Sequence, residues 1–234
     1  MFRYYKQSFT IFKQFAGESI AYVFVMLLLY ALLLLTSTNR FANAIVYTFF
    51  APLSFGLSLF LYRFEKTGAS HFSNLFDGLR HHFLSINILF FFQSIVFSVI
   101  FSSLNLIDVE TLNSLVASKG AMKISNEQML EVLNAVQYAL GIFLVINILL
   151  GFSPYFLYFR NQGVITALNS SIQFGVKNLF GIISLNIQIL FLNILGLLPC
   201  FTGLFVTIPM SIFMYYIFFK EHSIPVVSGQ SANT

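Results

Sequence analysis

The sequence is poor in charge. Asp, Glu, Lys and Arg make up 9% of its 234 residues, whereas hydrophobic residues make up 58%. Soluble domains carry about 25% charged residues, so a soluble globule of this composition could not cover its surface with polar groups. The shortage of charge therefore excludes a soluble protein. The abundance of apolar residues excludes an intrinsically disordered one, and most of the surface must face lipid.

Cysteine and catalytic motifs are also scarce. Cys200 is the single cysteine, so no intrachain disulfide can form, and its place in an apolar segment predicts a packing role. The motifs of zinc proteases, serine hydrolases and phosphate-binding loops are absent. His81 and His82 are neighbours, and adjacent helical residues point about 100° apart, so they cannot easily share a metal ion. The sequence therefore predicts no catalytic residue, no cofactor and no metal site.

Long apolar runs dominate what is present. A helix that crosses a bilayer needs about 20 mostly apolar residues, and six runs come close to this length. They lie at about 18–36, 41–62, 84–106, 135–158, 179–198 and 201–219. The predicted fold class is an all-α, polytopic transmembrane helix bundle, with a single integral membrane domain over 1–234.

The cationic residues predict the orientation of these spans. With the N-terminus placed in the cytoplasm, most Lys and Arg fall on the cytoplasmic side, as the positive-inside rule requires. The C-terminus then lies in the cytoplasm too, and no basic patch remains to bind nucleic acid. On the inner side are Arg3, Lys6, Lys13, Arg63, Lys66, Arg80, Arg160, Lys177 and Lys220, and on the outer side are Arg40, Lys119 and Lys123.

Three parts of the chain share one pattern, in which a short amphipathic stretch and a cation precede an apolar span. Lys13, Arg80 and Lys177 are the equivalent cations. Arg63 precedes Arg80 by the same number of positions that separate Arg160 from Lys177. A true repeat predicts three copies of an interfacial helix followed by a helical hairpin. Chance similarity among six hydrophobic segments is the alternative, and the sequence leaves both open.

The segments 71–83 and 164–179 carry apolar stripes at helical spacing. Such stripes predict helices that lie in the membrane interface with the apolar face toward lipid. Lys13, Arg80 and Lys177 are then candidate contacts for anionic lipids, and an elbow that only sets the hairpin angle is the alternative. The stripes consist of Phe72, Leu75, Phe76, Leu79 and Phe83 in the first segment and of Ile165, Leu168, Ile172, Val176 and Leu179 in the second.

Amide side chains are the main polar groups within the predicted spans. Charged residues are absent from the central turns, which argues against proton-coupled transport. Each amide needs a hydrogen-bond partner in lipid, so the amides predict either interhelical bonds or a polar cavity for a neutral solute. Asn186 and Asn193 share a face of the fifth span. The candidate amides are Asn87, Gln93, Asn147, Asn186, Gln188 and Asn193.

Two short motifs resemble a family of uncharacterised bacterial six-span inner-membrane proteins. The run 193–209 looks like their final hairpin, where a Gly-Leu-Leu-Pro turn is followed by Gly-Leu, an apolar pair, Thr and Pro. The run 74–80, Asn-Leu-Phe-Asp-Gly-Leu-Arg, resembles their middle amphipathic helix. The topology is also similar to YciC-like proteins and to the membrane domain of some glycerophosphodiester phosphodiesterases. The resemblance implies the bacterial inner membrane and supplies no catalytic residue.

Together these observations predict an integral membrane protein that is not an enzyme. It is expected to act through contacts with membrane lipids, with other membrane proteins or with a second copy of itself. A transporter or channel for a small neutral or apolar solute is the alternative. An intramembrane enzyme is the weakest hypothesis, because the spans lack titratable groups.

Overall fold

The computed structural model describes residues 3–35, 50, 52–69, 71–103, 126–198 and 202–223, and these residues form helices and no strand. The helices are α1 (Arg3–Gln14), α2 (Ala16–Leu35), α3 (Gly56–Thr67), a 3-10 helix (Phe72–Phe76), α4 (Asp77–Arg80), α5 (Phe83–Ser103), α6 (Asn126–Leu150), α7 (Ser153–Phe159), α8 (Val164–Lys177), α9 (Leu179–Leu197) and α10 (Leu204–Ser223). The all-helical class predicted from the sequence is confirmed.

Three described helical stretches are long and apolar enough to cross a bilayer, as expected of a membrane protein. They are Gln137–Phe159, Leu179–Leu197 and Leu204–Ser223. The bent pair Arg3–Gln14 and Ala16–Leu32 adds a fourth if it forms one span, and Phe83–Val96 is a shorter apolar helix. Of the predicted span 41–62, residues 41–49 and 51 lie outside the described residues, as do the last three residues of the predicted span 84–106.

α1 and α2 meet at nearly a right angle of 94°. α2 is apolar along most of its length, whereas α1 carries exposed Lys6 and Lys13. α1 packs along α10 instead of extending α2, and its buried residues are Ser8 and Phe12. Phe15, directly after α1, packs edge-on against the rings of Phe60 and Phe64 of α3. If α2 crosses the bilayer, α1 therefore runs along the membrane surface.

α8 has two different faces. Its buried face consists largely of small residues, among them Ala167, Ser171 and Gly175, and it packs on α6 and α7. Its predicted apolar stripe points mostly outward, since Ile165 is 83% exposed and Val176 is 64% exposed. Small residues let two helices approach closely, so one face serves packing and the other is free to meet lipid.

The segment 71–83 differs from the single amphipathic helix that its stripe predicts. It contains the 3-10 helix, one turn of α4 and a break at which His82 has a φ of 58°. Asp77, which the stripe places on the polar face, is only 3% exposed. Its carboxylate lies 2.5 Å from Arg63 Nε. The prediction of one continuous helix is wrong here, because this tertiary contact draws the carboxylate inward.

Two glycines bring the surface helices close to the inner ones. A Cβ placed on Gly78 would lie 2.4 Å from the carbonyl oxygen of Pro52, and a Cβ on Gly175 would lie 2.3 Å from that of Ile148. Side-chain carbons do not approach oxygen so closely, so only glycine fits these contacts. The two glycines occupy corresponding positions in the sequence pattern that the second and third parts of the chain share.

The backbone geometry at Phe55 and Phe152 is nearly the same. Phe55 has φ −94° and ψ −4°, and Phe152 has φ −93° and ψ −2°. Each residue precedes a helix, α3 or α7, and its carbonyl oxygen accepts the N–H groups of the residues three and four positions later. The correspondence that the cations indicate in the sequence thus extends to local structure.

Each surface segment packs mainly on one or two inner helices. The 3-10 helix and α4 pack on α3, α8 packs on α6 and α7, and α1 packs on α10 at the other end of the chain. Aromatic rings join the inner helices α3, α7 and α10. The ring of Phe159 stacks on Tyr62 with centroids 4.3 Å apart and meets Tyr216 at 5.6 Å.

Candidate functional site

Three ion pairs gather at one end of the helical bundle, which we call the charged end. They join α1 to α10, α10 to α3, and α3 to α4, and they are the ion pairs found among the described residues. The pairs are Arg3 with Glu221 at 2.7 Å, Lys220 with Glu65 at 2.9 Å, and Arg63 with Asp77 at 2.5 Å. Segments far apart in sequence therefore meet at this end.

A hollow of about 340 Å³ opens at the charged end between the inner helices α3, α7 and α10. We call it the basic hollow. Aromatic rings form much of its wall, and charged side chains surround them. Its lining residues are Tyr62, Glu65, Lys66, Phe159, Arg160, Tyr216, Phe219, Lys220 and Ser223.

Two of its cations have no carboxylate partner within the part of the chain that the structure describes. Lys66 Nζ lies 4.5 Å from the centroid of the Tyr62 ring, which is a cation–π contact. The guanidinium of Arg160 donates to the carbonyl oxygen of Ser223. Both side chains therefore keep most of their N–H donors available.

The third cation is neutralised by the one carboxylate of the hollow. Lys220 Nζ lies 2.9 Å from Glu65 Oε2, and the phenol of Tyr216 donates to the same oxygen at 2.7 Å. With Lys66 and Arg160 added, three cations face one carboxylate. The basic hollow thus has an excess of two positive charges.

A second hollow of about 680 Å³ lies between α1, α3 and α10 and shares the Lys220–Glu65 pair with the first. Its charges balance, because Lys6 and Lys220 face Glu65 and Glu221. On the same α1, burial and then the Glu221 carboxylate raise the pKa of the Tyr4 phenol to about 12. This phenol stays neutral near pH 7, so it does not alter the charge balance.

Two of the six candidate amides meet at one tyrosine. The phenol of Tyr215 on α10 lies 3.1 Å from Asn147 Oδ1 on α6 and makes a hydrogen bond with Asn186 Oδ1 on α9. Three helices are joined at this point. Asn193, on the same helix as Asn186, also faces α10, where its Nδ2 donates to Ser211 Oγ at 3.3 Å.

The remaining three amides make separate contacts. Gln93 Nε2 crosses from α5 to the carbonyl oxygen of Leu150 at 2.8 Å. Asn87 and Gln188 donate to backbone carbonyls one turn back in their own helices. The six amides are thus not one cluster in the structure.

The three candidate lipid contacts are all exposed. Lys13, Arg80 and Lys177 lie at or near the ends of α1, α4 and α8. Lys13 Nζ lies 4.6 Å from the centroid of the Phe9 ring. Exposure leaves these cations accessible to lipid headgroups, and their role in binding lipid stays a prediction.

Sequence reasoning missed the basic hollow, although its signal is visible in the sequence. An aromatic residue directly precedes a cation at the end of three inner helices, and all three aromatic residues line the hollow. The doublets are Tyr62-Arg63, Phe159-Arg160 and Phe219-Lys220. In the sequence these cations indicate membrane orientation and, for Arg63 and Arg160, the internal repeat, and nothing in a linear pattern indicates that the three helices converge.

Comparisons of the chain with known protein families, curated proteins and solved structures find no match. A function must therefore be inferred from the arrangement of the described side chains. Within the described residues, no three His, Cys, Asp or Glu side chains form a group that could hold a metal ion. The basic hollow and the amide contacts are the features from which a function can be argued.

Proposed function

We propose that the chain is a six-span protein of the bacterial inner membrane, with both termini in the cytoplasm. The observation that carries this proposal is the ion pair between Arg3 and Glu221. Because the first and last described helices touch at the charged end, the chain crosses the bilayer an even number of times. The excess of Lys and Arg among the residues of this end supports a cytoplasmic location.

The other contacts of the charged end support a count of six. Arg63 pairs with Asp77, and Arg160 bonds to Ser223, so the chain is back at this end after each third of its length. This return supports the proposal that each excursion away from it is one helical hairpin. The shared geometry of Gly78 and Gly175 supports the view that the second and third parts of the chain are copies of one unit, and the sequence pattern extends this proposal to the first.

We further propose that the protein is not an enzyme and acts through lipid and protein contacts. Large apolar side chains remain outside the packed bundle, including Leu28 of α2 at 50% exposure and Phe191 of α9 at 64%. Such surface must be covered by acyl chains or by other membrane proteins. The exposed cations Lys13, Arg80 and Lys177 stand where lipid phosphates are expected.

Labelling of single cysteines tests the topology. With Cys200 replaced by Ala, Thr10→Cys and Ser223→Cys should react with a membrane-impermeant maleimide only after the cytoplasmic side is opened. Gly141→Cys, in the apolar part of α6, is the control and should stay unlabelled in both conditions. Labelling of either terminal cysteine in intact cells would contradict the proposed orientation.

Purification in native lipid tests the mode of action. Mass spectrometry of the purified protein should detect a stoichiometric lipid or protein partner. Recovery of the chain alone, together with uptake of a neutral solute into liposomes, would contradict this proposal and favour the transporter alternative.

A further inference from the structure

We propose that the basic hollow binds a phosphate group, carried either by an anionic lipid headgroup or by a soluble phosphate ester. This inference rests on the proposed function in one respect, because it places the hollow at the cytoplasmic surface, where both kinds of ligand occur. It adds a defined binding site for which the exposed cations of the surface helices are not required.

The donors of the hollow fit a phosphate. A guanidinium has five N–H donors, and the contact of Arg160 with the Ser223 carbonyl leaves its remaining donors free. Lys66 adds three ammonium donors that no described carboxylate engages. Bonds from such cations to phosphate oxygens are charge-assisted and roughly twice as strong as neutral ones.

The charge of the hollow selects an anion. Glu65 is the only carboxylate among the described residues that line it, and it already accepts from both Lys220 and Tyr216. Its negative charge is therefore compensated and does not cancel that of Lys66 or Arg160. The excess of two positive charges matches a phosphomonoester dianion or exceeds the single charge of a phosphodiester. The second hollow, whose charges balance, lacks this preference.

The aromatic wall positions the cations and limits the ligand. Tyr62 supports Lys66 through the cation–π contact, and its ring is itself stacked on Phe159. Apolar walls lower the local dielectric, which strengthens attraction between a cation and a phosphate. A volume of about 340 Å³ is at the small end of the range for small-molecule sites, so it accommodates a headgroup and excludes a folded macromolecule.

Titration of the purified full-length chain in detergent micelles tests the proposal. The probes are a short-chain phosphatidylglycerol, the matching diacylglycerol without phosphate, and inorganic phosphate, with binding followed by native mass spectrometry and thermal stability. Binding of phosphatidylglycerol alone identifies the lipid headgroup as the source. Binding of inorganic phosphate identifies a soluble ligand. Equal binding of the diacylglycerol, or no binding of any probe, overturns the proposal.

Two substitutions and a matched control locate the site. Lys66→Gln and Arg160→Gln should each weaken binding about tenfold, as expected for the loss of one charge-assisted hydrogen bond. Lys6→Gln is the control, because it removes the same charge from the second hollow, whose charges balance, and it should bind as the unmodified chain does. Equal weakening by all three variants would overturn the proposal in favour of general charge attraction.

Two further measurements distinguish a failure of this inference from a folding defect of the variants and from a failure of the proposed function. Lys66→Arg keeps the cation and should restore binding to within about twofold. If Lys66→Gln and Arg160→Gln bind as the unmodified chain does, the basic hollow is not the site. The cysteine labelling described above would still decide independently whether both ends of the chain lie in the cytoplasm.

Discussion

Tyr215 shows how single side chains tie the helices together. Its phenol joins Asn147 of α6 to Asn186 of α9 from its own position on α10. A polar group in an apolar interior needs such a partner, because no water replaces a lost bond. The phenol is thus the common partner of two amide oxygens on different helices.

Tyr215→Phe is expected to lower the free energy of unfolding by about 1 kcal/mol, since it removes the one phenol hydrogen that the half-buried amide oxygens of Asn147 and Asn186 share. Unfolding by SDS titration in mixed micelles measures the change. Tyr138→Phe removes a phenol that is 58% exposed and should have no measurable effect. Equal losses in the two variants would show that the phenol bonds contribute nothing specific.

The amides could be recognised from sequence, but their partners could not. Hydropathy marks Asn147 and Asn186 as polar residues inside apolar runs, and periodicity gives the face on which each lies. Neither property indicates which helix stands opposite. The sequence alone does not mark Tyr215 as their partner, because its hydroxyl meets both amides only when three helices are packed together.

At the scale of helices, glycine determines how closely the surface segments approach the inner ones. Gly78 lies against the backbone of Pro52, and Gly175 lies against that of Ile148. The sequence shows these glycines in register, which indicates correspondence and gives no reason for it. The reason is steric, since any larger residue would push the surface segment outward.

Gly78→Ala should lower the free energy of unfolding by about 1–3 kcal/mol, the usual cost of inserting a methyl group into a packed contact. Gly175→Ala should behave in the same way. Gly141→Ala is the control, because no atom lies within 4 Å of its added Cβ, and it should stabilise α6 by roughly 0.5–1 kcal/mol. Thermal unfolding in detergent compares the three, and an undisturbed Gly78→Ala would refute the steric argument.

The prediction of an amphipathic helix is confirmed for α8 and wrong for 71–83, for a physical reason. In α8 the stripe and the packing face are separate, so hydrophobic periodicity describes the helix well. In 71–83 the buried Asp77 is bound to Arg63, and a contact between distant residues overrides local periodicity. A charged residue that a pattern places in water can thus be buried when a cation reaches it from another helix.

For the molecule as a whole, the ion pairs of the charged end differ in how much they stabilise the folded state. Arg3 and Glu221 are at the surface, with Arg3 69% exposed, whereas Asp77 is nearly enclosed and its side chain is 5% exposed. Exposed pairs contribute little because water screens them. Removing the partner of an enclosed carboxylate leaves a charge that solvent cannot reach.

Arg63→Gln should therefore cost about 2 kcal/mol of unfolding free energy, less than a fully buried pair because Arg63 itself is 44% exposed. Arg3→Gln should cost less than about 1 kcal/mol. SDS-induced unfolding at low and high salt measures both, and only the Arg3 effect should vanish in high salt. A larger loss for Arg3→Gln would reverse this ranking.

Composition and charge placement predicted the helical class and the membrane character, because both depend on local sequence. The convergence of α3, α7 and α10 around the basic hollow depends on packing between residues that are far apart in the chain. Lys66 and Tyr62 are close in sequence, yet their relation to Arg160 is invisible without the fold. Sites assembled from several helix ends are the part that a single sequence leaves undetermined.

The contact between α1 and α10 has a consequence for synthesis. The ribosome completes α1 within the first residues of the chain, but the surface on which α1 packs is made last. At about 5–20 residues per second, roughly 10–40 s pass before that surface emerges. Throughout this interval the buried side of α1, with Ser8 and Phe12, needs a temporary cover from lipid or from the insertion machinery, so this part of the nascent protein cannot close until α10 has been inserted.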